Sequence, residues 1–336
     1  MAEYRNILVR ATNWIGDAVM SLPALRALRA RYPGARMTIL AMPWVADLYG
    51  RESFCDELIP WTAARGFRDL GAKWRLARSL RGPGFDLAVI LPNSFDSALP
   101  AWISRIPVRV GFDRDARGWM LTHAVPRIQP GDTPPHQSFH YLELLRRAHL
   151  IERIPENAEI RLEGVRVEKR NVIGVSPGAA FGGAKRWLPE RFAEAAVAVA
   201  APTQASIAIF GAKDEVGVCG EVEQAIAGRA AVQNHAGRTS LKQFIEEAAA
   251  CRAFLTNDSG SMHVVSALGV PVVAVFGSTD PVATGPTGAN ARIVQEPVEC
   301  SPCFHRECPL NGEANLRCLR LVTAERVAQR AFELLK

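Results

Sequence analysis

The stretch with the strongest chemical character is Asn-Asp-Ser-Gly-Ser-Met-His at residues 257–263. A strand-like run ends just before it, and a helix-like run opens from its polar turn. Because the first N–H groups of a helix are free, such a corner can bind an anion or a hydroxyl. The side chains that could bind such a ligand here are those of Asp258, Ser259 and His263. The alternative is structural: an acidic or hydroxyl helix cap and a satisfied helical histidine.

A second candidate lies near the N-terminus, where a short apolar strand at residues 6–10 leads into Asn13-Trp14-Ile15-Gly16-Asp17. A helix-like run follows to Arg31, with a predicted start at Ser21 or Pro23. Asp17 is then expected in a strand-to-helix loop, the place where α/β proteins bind ligands. Gly16 would let the backbone approach one. The alternative for Asp17 is a helix cap.

The second half contains a glycine-rich loop with two cations. A strand predicted at residues 172–176 ends at Ser176, and the loop 177–187 carries Lys185 and Arg186 before a helix that opens near Pro189. Backbone N–H groups together with a lysine suit a diphosphate. The spacing matches neither a Walker loop nor a GxGxxG fingerprint, and a flexible loop with two solvated cations is the alternative.

Polar residues also follow two more predicted strands, with Asn93 after residues 87–91 and Asp214 with Glu215 after residues 206–210. Two successive βα series, separated by a charged stretch at 151–171, predict an α/β protein with two doubly wound domains facing each other. Ligands are expected in the cleft between them, at the carboxyl ends of the strands. The predicted division is 1–165, 172–320 and a C-terminal helix at 321–336 that could pack back on the N-terminal domain.

Composition narrows the function classes. The 336 residues are 48% hydrophobic and 22% charged, which is typical of a globular protein, and the net charge of +6 favours acidic partners. No apolar run approaches the ~20 residues of a membrane span. Since the N-terminus leads straight into a strand, no signal peptide is predicted and the expected location is the cytoplasm.

A basic segment lies between residues 65 and 81, where Asp69 is the one counter-charge. Its cations are Arg65, Arg68, Lys73, Arg75, Arg78 and Arg81. Such a run is often a solvated helix face, but this imbalance suggests a surface for a phosphorylated or membrane-bound partner. Nucleic acid is disfavoured because aromatic residues are few and no nucleic-acid motif is present.

Four of the seven cysteines lie close together in the sequence, at Cys300, Cys303, Cys308 and Cys318. The initial CxxC is compatible with zinc, although the later spacings do not match a common zinc ribbon. Thiols packed in a proline-rich loop are the favoured alternative.

These motifs, in this order, resemble the bacterial ADP-heptose:lipopolysaccharide heptosyltransferases of glycosyltransferase family 9, type II in particular. The resemblance rests on motifs spread over nearly the whole chain: NWIGDAVMSLP at 13–23, SPGA at 176–179, KRW with Pro189 at 185–189, NDSGSMH at 257–263, FGST at 276–279 and CSPCFHRECP at 300–309.

The resemblance implies a GT-B fold of two Rossmann-like domains and an inverting, metal-independent reaction without a cofactor. The donor would be ADP-L-glycero-β-D-manno-heptose, bound mainly by the C-terminal domain. The acceptor would be the first heptose of the inner core on Kdo₂-lipid A, approached by the N-terminal domain. The enzyme would then act as a peripheral protein on the cytoplasmic face of the inner membrane, in contact with its anionic surface.

Site roles follow from the same resemblance and from residue chemistry. Asp17 is the expected base and Lys185 the group that neutralises the leaving ADP. The expected donor-binding residues are Ser176, Gly178, Ala179, Lys185, Asp214, Asp258, Ser259, Gly260 and His263. The expected acceptor-binding residues are Asn13, Trp14, Gly16, Arg65, Arg68 and Asn93.

Three rival interpretations stay open at this point. One is transfer to another core position, and another is a different sugar-nucleotide enzyme, such as an epimerase. The third belongs to another class: a basic, metal-binding interaction protein that uses the cysteine cluster and the 65–81 segment.

Overall fold

The computed structural model describes residues 3–62 and 69–336 of the chain. Contacts divide the chain into two compact units, Met1–Glu163 (unit 1) and Gly164–Lys336 (unit 2). Within the described ranges, no helix is both long and apolar enough to span a membrane.

Unit 1 is built on a parallel six-stranded sheet with the order β3-β2-β1-β4-β5-β6. Its strands are β1 (Asn6–Arg10), β2 (Arg36–Ala41), β3 (Glu57–Pro60), β4 (Leu87–Ile90), β5 (Val108–Phe112) and β6 (His123–Val125). Its helices are α1 (Ile15–Arg31), α2 (Pro43–Tyr49), α3 (Leu70–Ser79), α4 (Phe95–Ile103) and α5 (Gln137–Arg147).

Unit 2 repeats this connectivity in a second parallel six-stranded sheet, with the order β12-β11-β10-β7-β8-β9. Its strands are β7 (Val172–Ser176), β8 (Ser206–Ile209), β9 (Val232–Asn234), β10 (Ala253–Asn257), β11 (Val272–Phe276) and β12 (Ala291–Gln295). Its helices are α6 (Pro189–Ala200), α7 (Val216–Ile226), α8 (Leu241–Ala250), α9 (Gly260–Ala267), α10 (Pro281–Thr284), α11 (Arg317–Arg320) and α12 (Ala324–Leu335).

The central strands of both sheets are apolar because helices cover both faces of a parallel sheet. Every residue of β4, β10 and β11 is buried. The predicted two doubly wound α/β units are therefore confirmed.

In each sheet the chain starts at a central strand and winds outward in both directions. The two central neighbours are β1 and β4 in unit 1, and β7 and β10 in unit 2. Loops after such a pair of strands diverge, which leaves room for a ligand at the carboxyl edge of the sheet. The loops that follow these four strands carry the motifs singled out from the sequence.

The start of α1 differs from the prediction. The helix begins at Ile15, with Trp14 as its N-cap, so Asp17 lies in the first helical turn and not in a loop before it. Ser21 does not cap the helix; its hydroxyl donates to the carbonyl of Ala18 at 2.8 Å. Pro23 is accommodated inside the helix, where burial of the surrounding apolar side chains offsets the hydrogen bond that proline cannot donate.

The basic segment also differs from a uniformly solvated surface. Lys73 is buried, with its Nζ 2.7 Å from Oδ1 of Asp96, because it lies on the inner face of α3 against α4. Arg75, Arg78 and Arg81 are exposed. The predicted acceptor residues Arg65 and Arg68 lie outside the described residues.

The C-terminal helix α12 packs within unit 2, against α6 and the strands β10, β11 and β12. Its apolar side, with Val327, Ala328 and Ala331, belongs to the main core of this unit. This side of α12 is therefore part of unit 2, and the packing of the helix on the N-terminal domain stays a prediction.

We expect Val327→Ala to lower the free energy of unfolding of unit 2 by about 2 kcal/mol, because it removes buried methyl groups and leaves a cavity. Gln329→Ala, at an exposed position of the same helix, is the control and should change it little. Urea unfolding followed by circular dichroism measures both. Equal stability of the two variants would contradict the placement of α12 in this core.

Candidate active site

Unit 1 has a cavity of about 610 Å³ at the carboxyl edge of its sheet. Its walls come from the loop after β1, the loop after β4, α5 and residues 127–129. Asn13, Trp14, Asp17 and Asn93 line it, so the structure brings these four sequence-predicted residues together. Gly16 lies beside them in the first turn of α1.

Asp17 is held by a tyrosine that the sequence did not single out. Tyr141 of α5 donates its hydroxyl hydrogen to Oδ1 of Asp17 at 2.9 Å. Burial raises the pKa of Tyr141 well above its usual range, and the negative charge of Asp17 raises it further. Tyr141 therefore stays protonated and orients the Asp17 carboxylate by a hydrogen bond to its charged form.

Asn13 is fixed on two sides. Arg10, at the end of β1, donates from Nη2 to Oδ1 of Asn13 at 2.7 Å, and the indole N–H of Trp44 donates to the Asn13 carbonyl at 2.7 Å. Burial lowers the pKa of Arg10 to about 10. Arg10 is a charged residue at the end of a strand whose centre is apolar, which is the signal in the sequence that could have identified it.

The loop after β4 is shaped by a fully buried arginine, Arg117. Its guanidinium donates to the carbonyl of Pro92, to Oγ of Ser97 at 2.8 Å and to the carbonyl of Phe112 at 3.0 Å. Burial lowers the pKa of Arg117 to about 10. In the loop that Arg117 holds, Oδ1 of Asn93 is buried and accepts no hydrogen bond from a described residue, so it is suited to a ligand hydroxyl.

The corresponding corner of unit 2 contains an ion pair between the two main predicted site residues. Nζ of Lys185 lies 2.5 Å from Oδ2 of Asp258, which also accepts a hydrogen bond from Oγ1 of Thr279 at 2.5 Å. Asp258 is only 4% exposed. The N-cap of α9 is Ser259, which makes no side-chain cap bond. Neither Asp258 nor Ser259 therefore acts as the simple side-chain cap that the sequence left open.

The glycine-rich loop after β7 is anchored by Asn257. This fully buried side chain accepts from the backbone N–H of Trp187 at 2.9 Å and donates to the carbonyl of Pro177 at 2.6 Å. Arg186 donates to the carbonyl of Ala179 at 3.2 Å. With Lys185 paired to Asp258, both cations of the loop are engaged, which rules out the alternative of a flexible loop with solvated cations.

The remaining predicted residues of this corner lie on the same loops. Ser176, at the end of β7, donates from its hydroxyl to that of Ser261 in the first turn of α9 at 3.0 Å. Gly260 begins α9, and His263 is a buried residue of the same helix. The free N–H groups of this helix start therefore lie beside the glycine-rich loop.

Glu215 contacts this loop, whereas Asp214 is exposed. A Cβ at Gly178 would lie 2.1 Å from the carboxyl carbon of Glu215, so the Glu215 side chain would have to move to admit a larger residue there. Burial raises the pKa of Glu215, whose Oε2 accepts from the backbone N–H of Ala212 at 2.8 Å. The sequence-based assignment named Asp214 as the donor contact; of these two acids, Glu215 is the one that contacts the glycine-rich loop.

The cysteine-rich segment supports the turn that carries Lys185, a role that the sequence did not suggest. The backbone N–H of Ala184 donates to the carbonyl of Arg306 at 2.9 Å, and that of Gly183 donates to Oε1 of Glu307 at 2.9 Å. Two cations lie over the ring of Phe181. Nζ of Lys185 is 4.8 Å from the ring centroid, and the guanidinium carbon of Arg306 is 5.5 Å from it.

The cysteines of this segment are free thiols. Burial raises the pKa of Cys318, and the nearby Cys300, Cys303 and Cys308 raise it further. Within residues 3–62 and 69–336, no three His, Cys, Asp or Glu side chains are arranged to hold a metal ion.

Comparison with known proteins identifies the family. The model of glycosyltransferase family 9 (heptosyltransferase) matches residues 73–313. Lipopolysaccharide heptosyltransferase 2 of Salmonella typhimurium is 34% identical over 307 residues, 86% of this chain and 87% of that protein. Lipooligosaccharide heptosyltransferase 2 of Haemophilus influenzae is 29% identical over 315 residues, 86% of this chain and 88% of that protein.

A solved structure agrees in fold over almost the full length. The structure of Escherichia coli ADP-heptose lps heptosyltransferase II has a TM-score of 0.81 and 31% identity, and 98% of each chain is covered. Together with the two doubly wound sheets, this similarity confirms the GT-B fold class. The chain belongs to glycosyltransferase family 9, the heptosyltransferases, and is a glycosyltransferase.

Proposed function

We propose that this enzyme transfers L-glycero-D-manno-heptose from ADP-heptose to the first heptose of the lipopolysaccharide inner core, on Kdo₂-lipid A. The observation that carries the proposal is the ion pair between the partly buried Lys185 and the buried Asp258, at the start of α9 and beside the glycine-rich loop. A cation, free backbone N–H groups and a carboxylate suit the two halves of a nucleotide sugar: the diphosphate and the sugar hydroxyls. The similarity to proteins named heptosyltransferase 2 supports the choice of sugar and acceptor.

The donor is assigned to unit 2. Lys185 and the N–H groups near Gly178 and Ala179 hold the diphosphate, together with Ser176, Ser259, Gly260 and His263. Asp258 accepts hydrogen bonds from heptose hydroxyls. The ribose is assigned to Glu215 in place of Asp214, because Glu215 is the acid next to Gly178.

The acceptor is assigned to the cavity of unit 1. Asp17 takes the proton from the attacking hydroxyl, and the Tyr141 hydrogen bond orients the carboxylate for this. Asn13, Trp14, Gly16 and Asn93 position the sugar, and Arg65 and Arg68 remain proposed acceptor contacts.

The reaction is a direct displacement at the anomeric carbon. The acceptor oxygen forms the new glycosidic bond as the bond to the β-phosphate oxygen breaks, and the configuration inverts. Charge accumulates on the departing ADP, where Lys185 and the backbone N–H groups stabilise it in a water-poor corner. Because these groups supply the neutralising charge, we expect turnover to persist in EDTA.

The acceptor is a lipid, so the proposal places the enzyme on the cytoplasmic face of the inner membrane as a peripheral protein. The exposed Arg75, Arg78 and Arg81 favour contact with an anionic surface.

The test of the proposal is ADP release from ADP-heptose with heptosyl-Kdo₂-lipid A, compared with Kdo₂-lipid A. Release with the heptosylated acceptor alone is expected. Release with the bare acceptor alone would move the reaction to the first heptose. No release with either, from folded protein that binds ADP, would contradict the proposed transfer and favour another donor.

Asp17→Asn should lower kcat by on the order of 10²–10⁴, because the general base is lost. The affinity for ADP should stay within about twofold, since Asp17 belongs to the acceptor side. Steady-state kinetics and calorimetry with ADP measure the two effects. Asp47→Asn, at an exposed position of α2, is the matched control; a kcat of Asp17→Asn equal to that of this control would remove Asp17 from the mechanism.

Lys185→Gln should weaken ADP binding at least about tenfold and slow turnover together, because a neutral amide cannot offset the diphosphate charge. The amide can still donate a hydrogen bond to Asp258, which protects the fold against an unpaired buried carboxylate. Lys242→Gln, on the exposed side of α8, is the control. Unchanged ADP affinity in a folded Lys185→Gln protein would contradict the phosphate assignment.

A further inference from the structure

A group of tryptophans is exposed on unit 1 around α3 and α4. Trp74 is 56% exposed, Trp102 is 40% exposed and Trp119 is 60% exposed. Leu70, one turn before Trp74 on α3, is 51% exposed. Large apolar side chains gathered on a surface mark an interaction site more often than isolated ones do.

Contacts between these residues make one continuous surface. The guanidinium carbon of Arg81 lies 6.0 Å from the ring centroid of Trp74, and Arg81 donates to the carbonyl of Ile103 at 2.9 Å, next to Trp102. The ring centroids of Trp102 and Trp119 are 5.0 Å apart. We call the surface formed by Leu70, Trp74, Arg75, Arg78, Arg81, Trp102 and Trp119 the aromatic–arginine surface.

The packing of α3 does not require this surface. The helix buries a different side, with Lys73, Leu76 and Ala77, against the body of unit 1. Residues 70, 74 and 78 follow one another at intervals of four on the outer side, so they share one face of the helix.

The surface carries a net positive charge. Arg75, Arg78 and Arg81 are exposed. Of the acids close to them in the fold, Asp96 pairs with Lys73, and Asp69 caps α3 by accepting from the N–H of Ala72. The exposed Asp113 lies beside Gly118, at the Trp119 end of the surface, away from the three arginines of α3 and its C-terminal end. Tryptophan rings with an apolar body and a polar N–H, interleaved with long arginines, have the chemistry of a membrane interface. The complementary partner is an anionic lipid surface.

We infer that the aromatic–arginine surface docks the enzyme on anionic phospholipid, with the tryptophans at headgroup level and the arginines on lipid phosphates. The inference rests on the proposed function, because a lipid-borne acceptor explains why such docking is useful. A second contact connects the surface to the cavity of unit 1. The ring of Phe95 lies 6.2 Å from that of Trp119, and Phe95 directly follows the loop that lines the cavity. Docking here brings that loop to the lipid surface, where the acceptor is anchored.

The test is sedimentation with vesicles of phosphatidylethanolamine and phosphatidylglycerol, against phosphatidylcholine alone, with no acceptor present. Wild type should bind the anionic vesicles and release at high salt. Arg75→Gln/Arg78→Gln should bind about 25-fold more weakly, at about fivefold for each arginine. Trp74→Ala should bind about tenfold more weakly.

Two control variants remove charge or apolar surface elsewhere on the protein. Arg229→Gln/Arg252→Gln removes two exposed charges of unit 2, and Val282→Ala trims a side chain that is 60% exposed. Both should bind like wild type. Equal binding by all variants, or no binding to anionic vesicles by wild type, would overturn the inference. So would an oligomer that Trp74→Ala dissociates without affecting vesicle binding, because the surface would then contact a second copy.

Activity separates this inference from the proposed function. With a deacylated, water-soluble heptosyl-Kdo₂ acceptor, the surface variants should transfer heptose at wild-type rates. With the acceptor embedded in anionic vesicles, their rates should fall in proportion to their binding. Vesicle binding that follows the variants, in a protein that transfers heptose to neither acceptor, would support the surface and refute the transfer reaction.

Discussion

The candidate site of unit 2 depends on one ion pair, between the buried carboxylate of Asp258 and Lys185. Removing an ionised group from water is costly unless a counter-charge and hydrogen-bond donors accompany it. Lys185 supplies the charge and Thr279 a hydrogen bond. The turn that carries Lys185 is fixed in its own right by Asn257 and by residues 306–307. An anionic ligand that enters this corner meets a cation already in place, so little reorganisation is needed when charge develops on it.

Unit 1 uses the same principle with different residues. Unit 1 contains two buried arginines, Arg10 and Arg117. In the hydrogen bonds described above, their guanidinium N–H groups donate to oxygen atoms in and around the loops after the two central strands, and not to carboxylates. They hold those loops open around the cavity, while Tyr141 orients Asp17. Buried guanidinium groups in such positions are expensive to desolvate, which is why burial lowers the pKa of both arginines. Their energetic cost is consistent with a role in positioning a site.

Sequence patterns predicted the strands and the loops after them because both are local: apolar runs of strand length, then glycine and polar residues. They placed Asp17, Asn93, Gly178 and Asp258 at the correct edges of the sheets. They failed where the deciding partner is distant in the chain. Tyr141 lies 124 residues from Asp17, and Glu307 lies 124 residues from Gly183. The start of α1 was predicted too late in the chain, because burial of the helix outweighed the local signal of Pro23. The contact between Glu215 and Gly178, which separates Glu215 from Asp214, is likewise a feature of the folded chain and not of the local sequence.

The central claim is a single displacement, with the acceptor activated at Asp17 and the departing ADP stabilised at Lys185. NMR spectroscopy of the product made from ADP-heptose and heptosyl-Kdo₂-lipid A tests it most directly. The product shows which acceptor sugar received the heptose and which anomeric configuration the new bond has. The account predicts one added heptose, linked to the acceptor's heptose, with the anomeric configuration inverted relative to the donor. Retention of configuration, or a heptose linked to Kdo, would contradict it.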